Sequence, residues 1–288
     1  MYRLKKNNCN FTKSYHPITM NDTVNTALQL WQDNRERLTT IDASLSEAAC
    51  NEALTLCEKI HASLAAETDC EDYIAFLSAY ANLLAIREEN LEKELQVQEE
   101  IIALRRNQVE GDRALYLPKL ANSLLFAALI HQRLTNVRQA LEYMEESVSC
   151  EREAVEELGV SSLQQLAVKR YYWARMCATL GRNILAEDAY KEAIADYNML
   201  LSNPACNRNE TTVTLGYILI ELADFYYSDR LVDNALDRYH QAIEVLLTLQ
   251  DSEQAQSLIQ EIYKLLSYIY ELLGNVEKSN YYKELVEQ

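Results

Sequence analysis

The feature that most constrains the fold of this 288-residue chain is an internal repeat of about 46 residues. The pattern Ala-x-x-x-Tyr-x-x-Ala occupies residues 186–193 and again residues 235–242, and a looser version occupies residues 140–147. The position that opens the pattern, called the anchor here, recurs at Ala53, Glu94, Ala140, Ala186, Ala235 and Ser279. The intervals between successive anchors are 41, 46, 46, 49 and 44 residues. Six similar units therefore fill the chain from about residue 21 to its end.

Each unit has the pattern of two antiparallel helices. Positions i, i+4 and i+7 lie on one face of a helix, so the alanines and the tyrosine of the pattern form a single stripe. A bulky residue followed by alanine precedes two of the anchors by thirteen residues, at 173–174 and at 222–223. Small residues at both places allow the two helices to approach closely. Gly181 and Gly274 then provide the left-handed turn that ends the first helix of their units.

Composition supports long helices and few turns. The chain has five glycines and three prolines, whereas an average protein of this length has several times as many. All-β and doubly wound folds need such residues at every turn, so these folds are excluded. A hydrophobic share of 49% is enough for a core. Capping-box patterns predict helix starts after Ser44, Ser162 and Asp251.

The repeated residues resemble those of tetratricopeptide repeats. The resemblance covers, in decreasing order of quality, residues 162–202 and 211–249, then 113–158 and 252–287, and last 44–110. The units are longer than the standard repeat of ~34 residues, as in a bacterial variety with longer helices. Glu94, Met144 and Ser279 depart from the expected alanine or aromatic residue. The resemblance implies an all-α solenoid of about six antiparallel helix-turn-helix repeats. A HEAT-type array, with a period of ~40–47 residues, is the alternative.

The resemblance also implies a binding groove, because a stacked array exposes one face of every first helix on its inner side. Tyrosine is frequent at those positions and combines apolar area with a polar tip, although packing between units is an equal alternative for several of these tyrosines. The candidate groove residues are Asn122, Gln132, Arg133, Tyr171, Arg175, Tyr217, Asp224, Tyr227, Lys264 and Tyr268. Further groove positions are Phe76, Leu83, Arg87, Leu125, Leu129, Thr179 and Ile220.

The sequence contains no recognisable catalytic or metal-binding motif. H-E-x-x-H, the P-loop and G-x-S-x-G do not occur, and none of the seven cysteines forms a C-x-x-C pair. His131 falls where the resemblance places a packing aromatic residue, so we expect it in the core. These observations predict a protein that is not an enzyme and holds no cofactor or metal.

Charge and hydropathy limit which kinds of partner and which location are expected for this protein. A net charge of −17 provides no general basic field, which argues against nucleic acid and against an anionic membrane surface. The longest apolar run, residues 124–130, is far shorter than the ~18 residues of a membrane span. Residues 1–19 are basic and lack the apolar region of a secretory signal. We therefore expect a poorly ordered tail over 1–19, a single repeat domain over 20–288 and a cytoplasmic location.

The function predicted from the sequence is a non-enzymatic scaffold that binds a protein or peptide in the groove. The alternative is a ligand- or peptide-responsive regulator resembling bacterial peptide-pheromone receptors, although residues 1–19 are too short for the effector domain of such receptors. The last helix, predicted over 276–287, carries a stripe of Val276, Tyr282 and Leu285 that suits either a capping face or self-association. Monomer and homodimer therefore both remain open.

Overall fold

The computed structural model describes residues 22–42, 44, 46–64, 71–88, 90–249 and 251–287. Over these residues the chain forms twelve α-helices, a short 3-10 helix and no strand, so the predicted all-α class is confirmed. The predicted tail over 1–19 lies outside the described residues. The helices are α1 (Asp22–Thr39), α2 (Glu47–Leu64), α3 (Glu71–Arg87), α4 (Leu91–Gly111), α5 (Arg113–Arg133), α6 (Val137–Leu158), α7 (Leu163–Thr179), α8 (Asn183–Leu201), α9 (Arg208–Ser228), α10 (Val232–Leu246), α11 (Glu253–Leu272) and α12 (Val276–Val286).

The chain divides into two compact units, with the boundary inside α4 between Val97 and Gln98. In the first unit α1 packs against α2 and α3. Its core is aromatic: the rings of Trp31 and Phe76 meet edge to face with 5.5 Å between centroids, and Tyr80 lies 6.1 Å from Phe76. All three side chains are fully buried.

The second unit consists of four consecutive hairpins, in which α5 pairs with α6, α7 with α8, α9 with α10, and α11 with α12. Each hairpin packs on the next through contacts of α6 with α7, α8 with α9 and α10 with α11. First helices of neighbouring hairpins also touch, α5 with α7 and α9 with α11. This regular stacking is the helical-repeat solenoid that the spacing of the anchors predicts.

The anchors occupy equivalent places near the start of the second helix of each pair. Five of them are the fourth residue of their helix, and Ala53 is the seventh residue of α2. None of the six residues is more than 6% exposed. Close packing at this place favours a small side chain, which explains alanine and serine at five of the six anchors, and α4 buries the longer Glu94 there.

All four hairpins of the second unit use the same turn between their helices. Gly181 and Gly274 follow α7 and α11 with φ of 68° and 74°, whereas Thr135 and Arg230 take the same left-handed conformation after α5 and α9. In each turn an N–H donates to a carbonyl five residues earlier, as in the 2.8 Å bond from Arg182 to Cys177. Glycine therefore marks only half of these turns.

The predicted helix caps are shifted by one or two residues. Ser46, not Ser44, accepts a hydrogen bond from the N–H of Ala49 at the start of α2, and the Ser44 N–H donates to Asp42 instead. Ser252, not Asp251, caps α11. Ser162 stands before α7 without a capping bond from its side chain. A serine nearer the helix supplies the acceptor in the first two cases, so the predictions for Ser44 and Asp251 are wrong.

Helix α5 is long and apolar enough to cross a membrane, which no other helix of the described residues is. Within the structure 56% of its apolar window is buried. Helices α6 and α7 pack against it. The apolar character of α5 is therefore that of a core helix.

Replacing Ala186 with leucine is expected to lower the free energy of unfolding by about 1–3 kcal/mol, because this fully buried position cannot accept a larger side chain without moving α8. Urea unfolding followed by circular dichroism measures the loss. Ala195→Leu, at an exposed position of the same helix, is the matched control and should change stability by less than about 0.5 kcal/mol. Equal effects of the two substitutions would contradict the packing role of the anchors.

Candidate functional site

The first helices of the second unit each present one stripe of side chains to solvent. The stripes have the spacing of three, four or seven residues that one helix face requires. We call the four stripes together the first-helix surface. Its principal members are Asn122, Phe126 and Arg133 on α5, Tyr171, Arg175 and Thr179 on α7, Tyr217, Glu221 and Asp224 on α9, and Lys264, Tyr268 and Glu271 on α11.

Large aromatic side chains stand out from this surface on three of the four helices. Phe126 is 56% exposed, Tyr217 40% and Tyr268 58%. Large exposed apolar groups are costly in water unless a partner covers them. Tyrosine and arginine are also the residues that most often dominate binding energy at interfaces.

The carboxylate of Glu221 joins α7 to α9 at the middle of the surface. Its Oε2 atom lies 3.3 Å from Nε of Arg175 and accepts a 3.3 Å hydrogen bond from the hydroxyl of Tyr190. The guanidinium of Arg175 lies over the ring of Tyr171, 5.6 Å from its centroid. One acidic group therefore holds an arginine and a tyrosine of two other helices in place.

Both tyrosines beside Glu221 remain protonated at neutral pH. Burial raises the pKa of Tyr171 and of Tyr190, and the negative charge of Glu221 raises both pKa values further. Each hydroxyl is thus available as a hydrogen-bond donor, and Glu221 accepts from that of Tyr190. The cluster is held together by contacts within the chain.

Two candidate groove residues serve the core as well as the surface. The hydroxyl of buried Tyr239 donates to the carboxylate of Asp224. Although Asp224 as a residue is exposed, the surrounding protein raises the pKa of its carboxyl group, and the bond from Tyr239 opposes that rise. Asn122 accepts a 2.7 Å hydrogen bond from Nζ of Lys169.

Lys169 is one member of a buried ion pair between α6 and α7. Its Nζ atom lies 2.8 Å from Oε2 of Glu151, and the two side chains are 1% and 0% exposed. Burial lowers the pKa of Lys169, and the hydrogen bond and charge of Glu151 act in the opposite direction. Asn122 thus connects the first-helix surface to an ion pair in the core.

All ten groove residues predicted from the sequence are at least partly exposed. Exposure permits a role in binding but does not test it, so that role stays a prediction. Those that are exposed are Asn122, Arg133, Arg175, Tyr217, Asp224, Lys264 and Tyr268, and those that are half-buried are Gln132, Tyr171 and Tyr227. Three of the further positions, Phe76, Leu83 and Leu125, are buried, so their prediction as groove residues is wrong.

Glu221, Glu271 and Phe126 belong to the first-helix surface but were not predicted from the sequence, and the large apolar one among them is Phe126. It follows Leu125, which turns into the core because neighbouring residues of a helix point about 100° apart. Its position four residues after Asn122 places it on the same stripe, which is the signal that could have found it.

His131 is buried with its ring stacked on that of Tyr143 at 5.2 Å, and burial lowers its pKa, so the prediction of a core histidine is confirmed. Among the residues that the structure describes, no three histidine, cysteine or acidic side chains are grouped as metal ligands. The first-helix surface is the candidate site that remains.

No family model matches this chain, and no curated protein matches it. Solved structures do match. BtubC from P. vanneervenii is 17% identical with a TM-score of 0.57, over 93% of this chain and 87% of that one. A putative kinesin light chain from Podosopora anserina with nearly identical TPR-like repeats is 17% identical with a TM-score of 0.50, over 83% and 99%.

A third match is Nro1 of S. pombe, described as a nuclear import adaptor, which is 15% identical with a TM-score of 0.50, over 91% of this chain and 85% of that one. These likenesses concern the fold. They support the tetratricopeptide type over the HEAT-type alternative. The chain is a TPR-like helical-repeat solenoid, as the resemblance of its repeated residues implies.

Proposed function

We propose that this protein is a non-enzymatic scaffold that binds a protein or peptide on the first-helix surface. The observation that carries the proposal is the row of exposed aromatic side chains on helices of one stacked array, Phe126 on α5, Tyr217 on α9 and Tyr268 on α11. An extended or helical segment laid across these helices would cover rings that water otherwise surrounds.

The cluster around Glu221 supports the proposal because it orders the centre of the surface in advance. Arg175 is paired with this carboxylate and lies over the ring of Tyr171, so binding has less to immobilise. A partner therefore loses less side-chain entropy on binding than it would against mobile side chains. The Arg175 side chain is half exposed, and its guanidinium can donate to an acidic or carbonyl group of the partner.

The matched structures support a role in protein interactions only at the level of the fold. Nro1 is described as a nuclear import adaptor, and we extend the adaptor role, but not its cargo, to this chain. The described cysteines are free thiols, which supports the cytoplasmic location that we propose. The alternative of a peptide-responsive regulator has no structural observation in its favour.

Replacing both Phe126 and Tyr217 with alanine is expected to weaken peptide binding at least tenfold, because truncating two exposed aromatic anchors removes more than 1.4 kcal/mol of binding energy. The measurement is selection of peptides from a displayed random library on the wild-type protein, followed by titration of each selected peptide against both proteins. Circular dichroism should show equal helix content.

Met199→Ala is the matched control, because Met199 is similarly exposed but lies on α8, a second helix. It should leave every titration unchanged. Selected peptides that bind the double variant as tightly as the wild type would remove the first-helix surface from consideration. A library that yields no binder to the wild type would contradict the proposed function itself.

A further inference from the structure

Exposed apolar side chains are concentrated on the last hairpin of the array. Here six large apolar side chains of α11, α12 and the turn between them are 38–65% exposed. They are Leu265, Tyr268, Leu272, Leu273, Val276 and Tyr281.

Three of these residues form one stripe along α11, which we call the α11 stripe. Leu265, Tyr268 and Leu272 are spaced by three and four residues and lie within an arc of about 60° on the helix surface. Lys264 and Glu271 flank the stripe on one side only, four residues before and three residues after Tyr268, and both are exposed. The arrangement thus has Tyr268 at its centre, leucine at both ends and opposite charges along one edge.

We propose that the α11 stripe binds a second copy of this chain, with the two α11 helices antiparallel about a twofold axis at Tyr268. In this register Leu265 meets Leu272 of the partner subunit, and Tyr268 meets Tyr268 of the partner subunit. The twofold axis lies between the facing helices and therefore places the charged flank of one α11 beside the charged flank of the other. Lys264 then meets Glu271 of the partner subunit. Every contact occurs twice, so the stripe is complementary to itself in both shape and charge.

The existing partner of Glu271 does not prevent this pairing. Within one chain Oε2 of Glu271 lies 2.6 Å from Nζ of Lys283, and both side chains are more than half exposed. An exposed ion pair of this kind contributes little to stability. The carboxylate can therefore approach Lys264 of the partner subunit at small cost.

The proposed self-association surface lies on α11. The sequence suggested the last helix instead, where a stripe suited either a capping face or self-association. Tyr282, the centre of the stripe considered there, is half-buried with its ring stacked on Tyr270 at 5.8 Å. Its hydroxyl lies 2.9 Å from Nε2 of His240. The face of α12 that contains Tyr282 is thus occupied within the chain, and α11 carries the free apolar stripe.

The proposal can be tested independently of the peptide-binding function, although Lys264, Tyr268 and Glu271 also belong to the first-helix surface. The peptide test substitutes Phe126 and Tyr217, which lie on other helices. The dimer test substitutes only the charges that flank the α11 stripe. Either proposal can therefore fail while the other stands.

Sedimentation velocity over a range of protein concentrations tests the dimer. The wild type is expected to form a species of twice the mass of one chain. Lys264→Glu and Glu271→Lys should each weaken dimerisation at least tenfold, because each variant alone brings two pairs of like charges together. A 1:1 mixture of the two variants should regain dimerisation, since each substituted position then meets an opposite charge.

Glu284→Lys is the matched control, because it makes the same charge change at an exposed position of α12 outside the stripe. It should dimerise as the wild type does. A wild type that remains monomeric at all concentrations overturns the proposal. Dimerisation of both single variants at the wild-type level, or a mixture no stronger than its components, overturns the assigned register.

Discussion

Replacing Lys169 with methionine is expected to lower the free energy of unfolding by about 3–5 kcal/mol. The substitution leaves the carboxylate of Glu151 in the core without its cation, and a buried unpaired charge is strongly unfavourable. Methionine fills nearly the same volume, so the loss reports the charge and not a cavity. Chemical unfolding of both proteins, followed by circular dichroism, measures the difference.

The double variant Lys169→Met/Glu151→Leu is the control for this experiment. Removing both charges replaces the ion pair with apolar packing, which for other buried pairs has been neutral or stabilising. We therefore expect the double variant to recover most of the loss. A single variant within about 0.5 kcal/mol of the wild type would show that the pair is hydrated in solution and contradict the burial seen here.

Replacing Tyr239 with alanine is expected to cost a similar amount, about 3–5 kcal/mol, because it removes a large, fully buried ring from the core of the second unit. Tyr239→Phe keeps the ring and removes only the hydroxyl that donates to Asp224. This variant should lose about 1 kcal/mol, since water can partly replace the bond at an exposed carboxylate. Thermal and urea unfolding distinguish the two losses.

The Tyr239→Phe variant should also show a defined pH dependence. In the wild type burial raises the pKa of Asp224 and the Tyr239 hydroxyl holds the rise in check. Without the hydroxyl of Tyr239 the pKa of Asp224 in the folded state rises further. The variant's loss of unfolding free energy relative to the wild type is therefore largest at a pH above the pKa of Asp224, where the carboxylate is charged. The loss shrinks as the pH falls through that pKa. A deficit that is constant from pH 7 to pH 3 would show that Asp224 does not accept this bond.

These two sites show why part of the candidate surface is also structural. Asn122 and Asp224 both accept hydrogen bonds from buried groups, Lys169 and Tyr239. Substituting either residue would disturb the core together with any ligand contact. Phe126 and Tyr217 are exposed aromatic residues, which is why the peptide experiment uses them.

Sequence reasoning succeeded where neighbouring residues decide the structure. The anchor alanines could be found because close helix packing demands a small side chain at a regular interval. The turns after α7 and α11 could be found because glycine favours the left-handed conformation at Gly181 and Gly274. The equivalent turns at Thr135 and Arg230 carry no such signal, and the stacking of the hairpins imposes their conformation.

Whether each tyrosine serves recognition or packing could not be predicted from the sequence in the same way. Recognition and packing were equal alternatives from the sequence, and the structure separates them residue by residue. Tyr217 and Tyr268 are exposed, Tyr171 and Tyr227 are half-buried, and Tyr190 is in the core. The separation depends on how each helix is rotated against its neighbours, which the period of the repeat alone does not specify.

The sequence by itself determined the helical class, the number and spacing of the hairpins and the position of the close helix contacts, because these follow from local periodicity and side-chain size. Only the tertiary structure decided which side chains meet across hairpins. Glu151 reaches Lys169, and Arg175 reaches Glu221 forty-six residues later, through the stacking of successive repeats. The same packing buries the faces of α11 that meet α9, α10 and α12 and leaves its apolar stripe exposed.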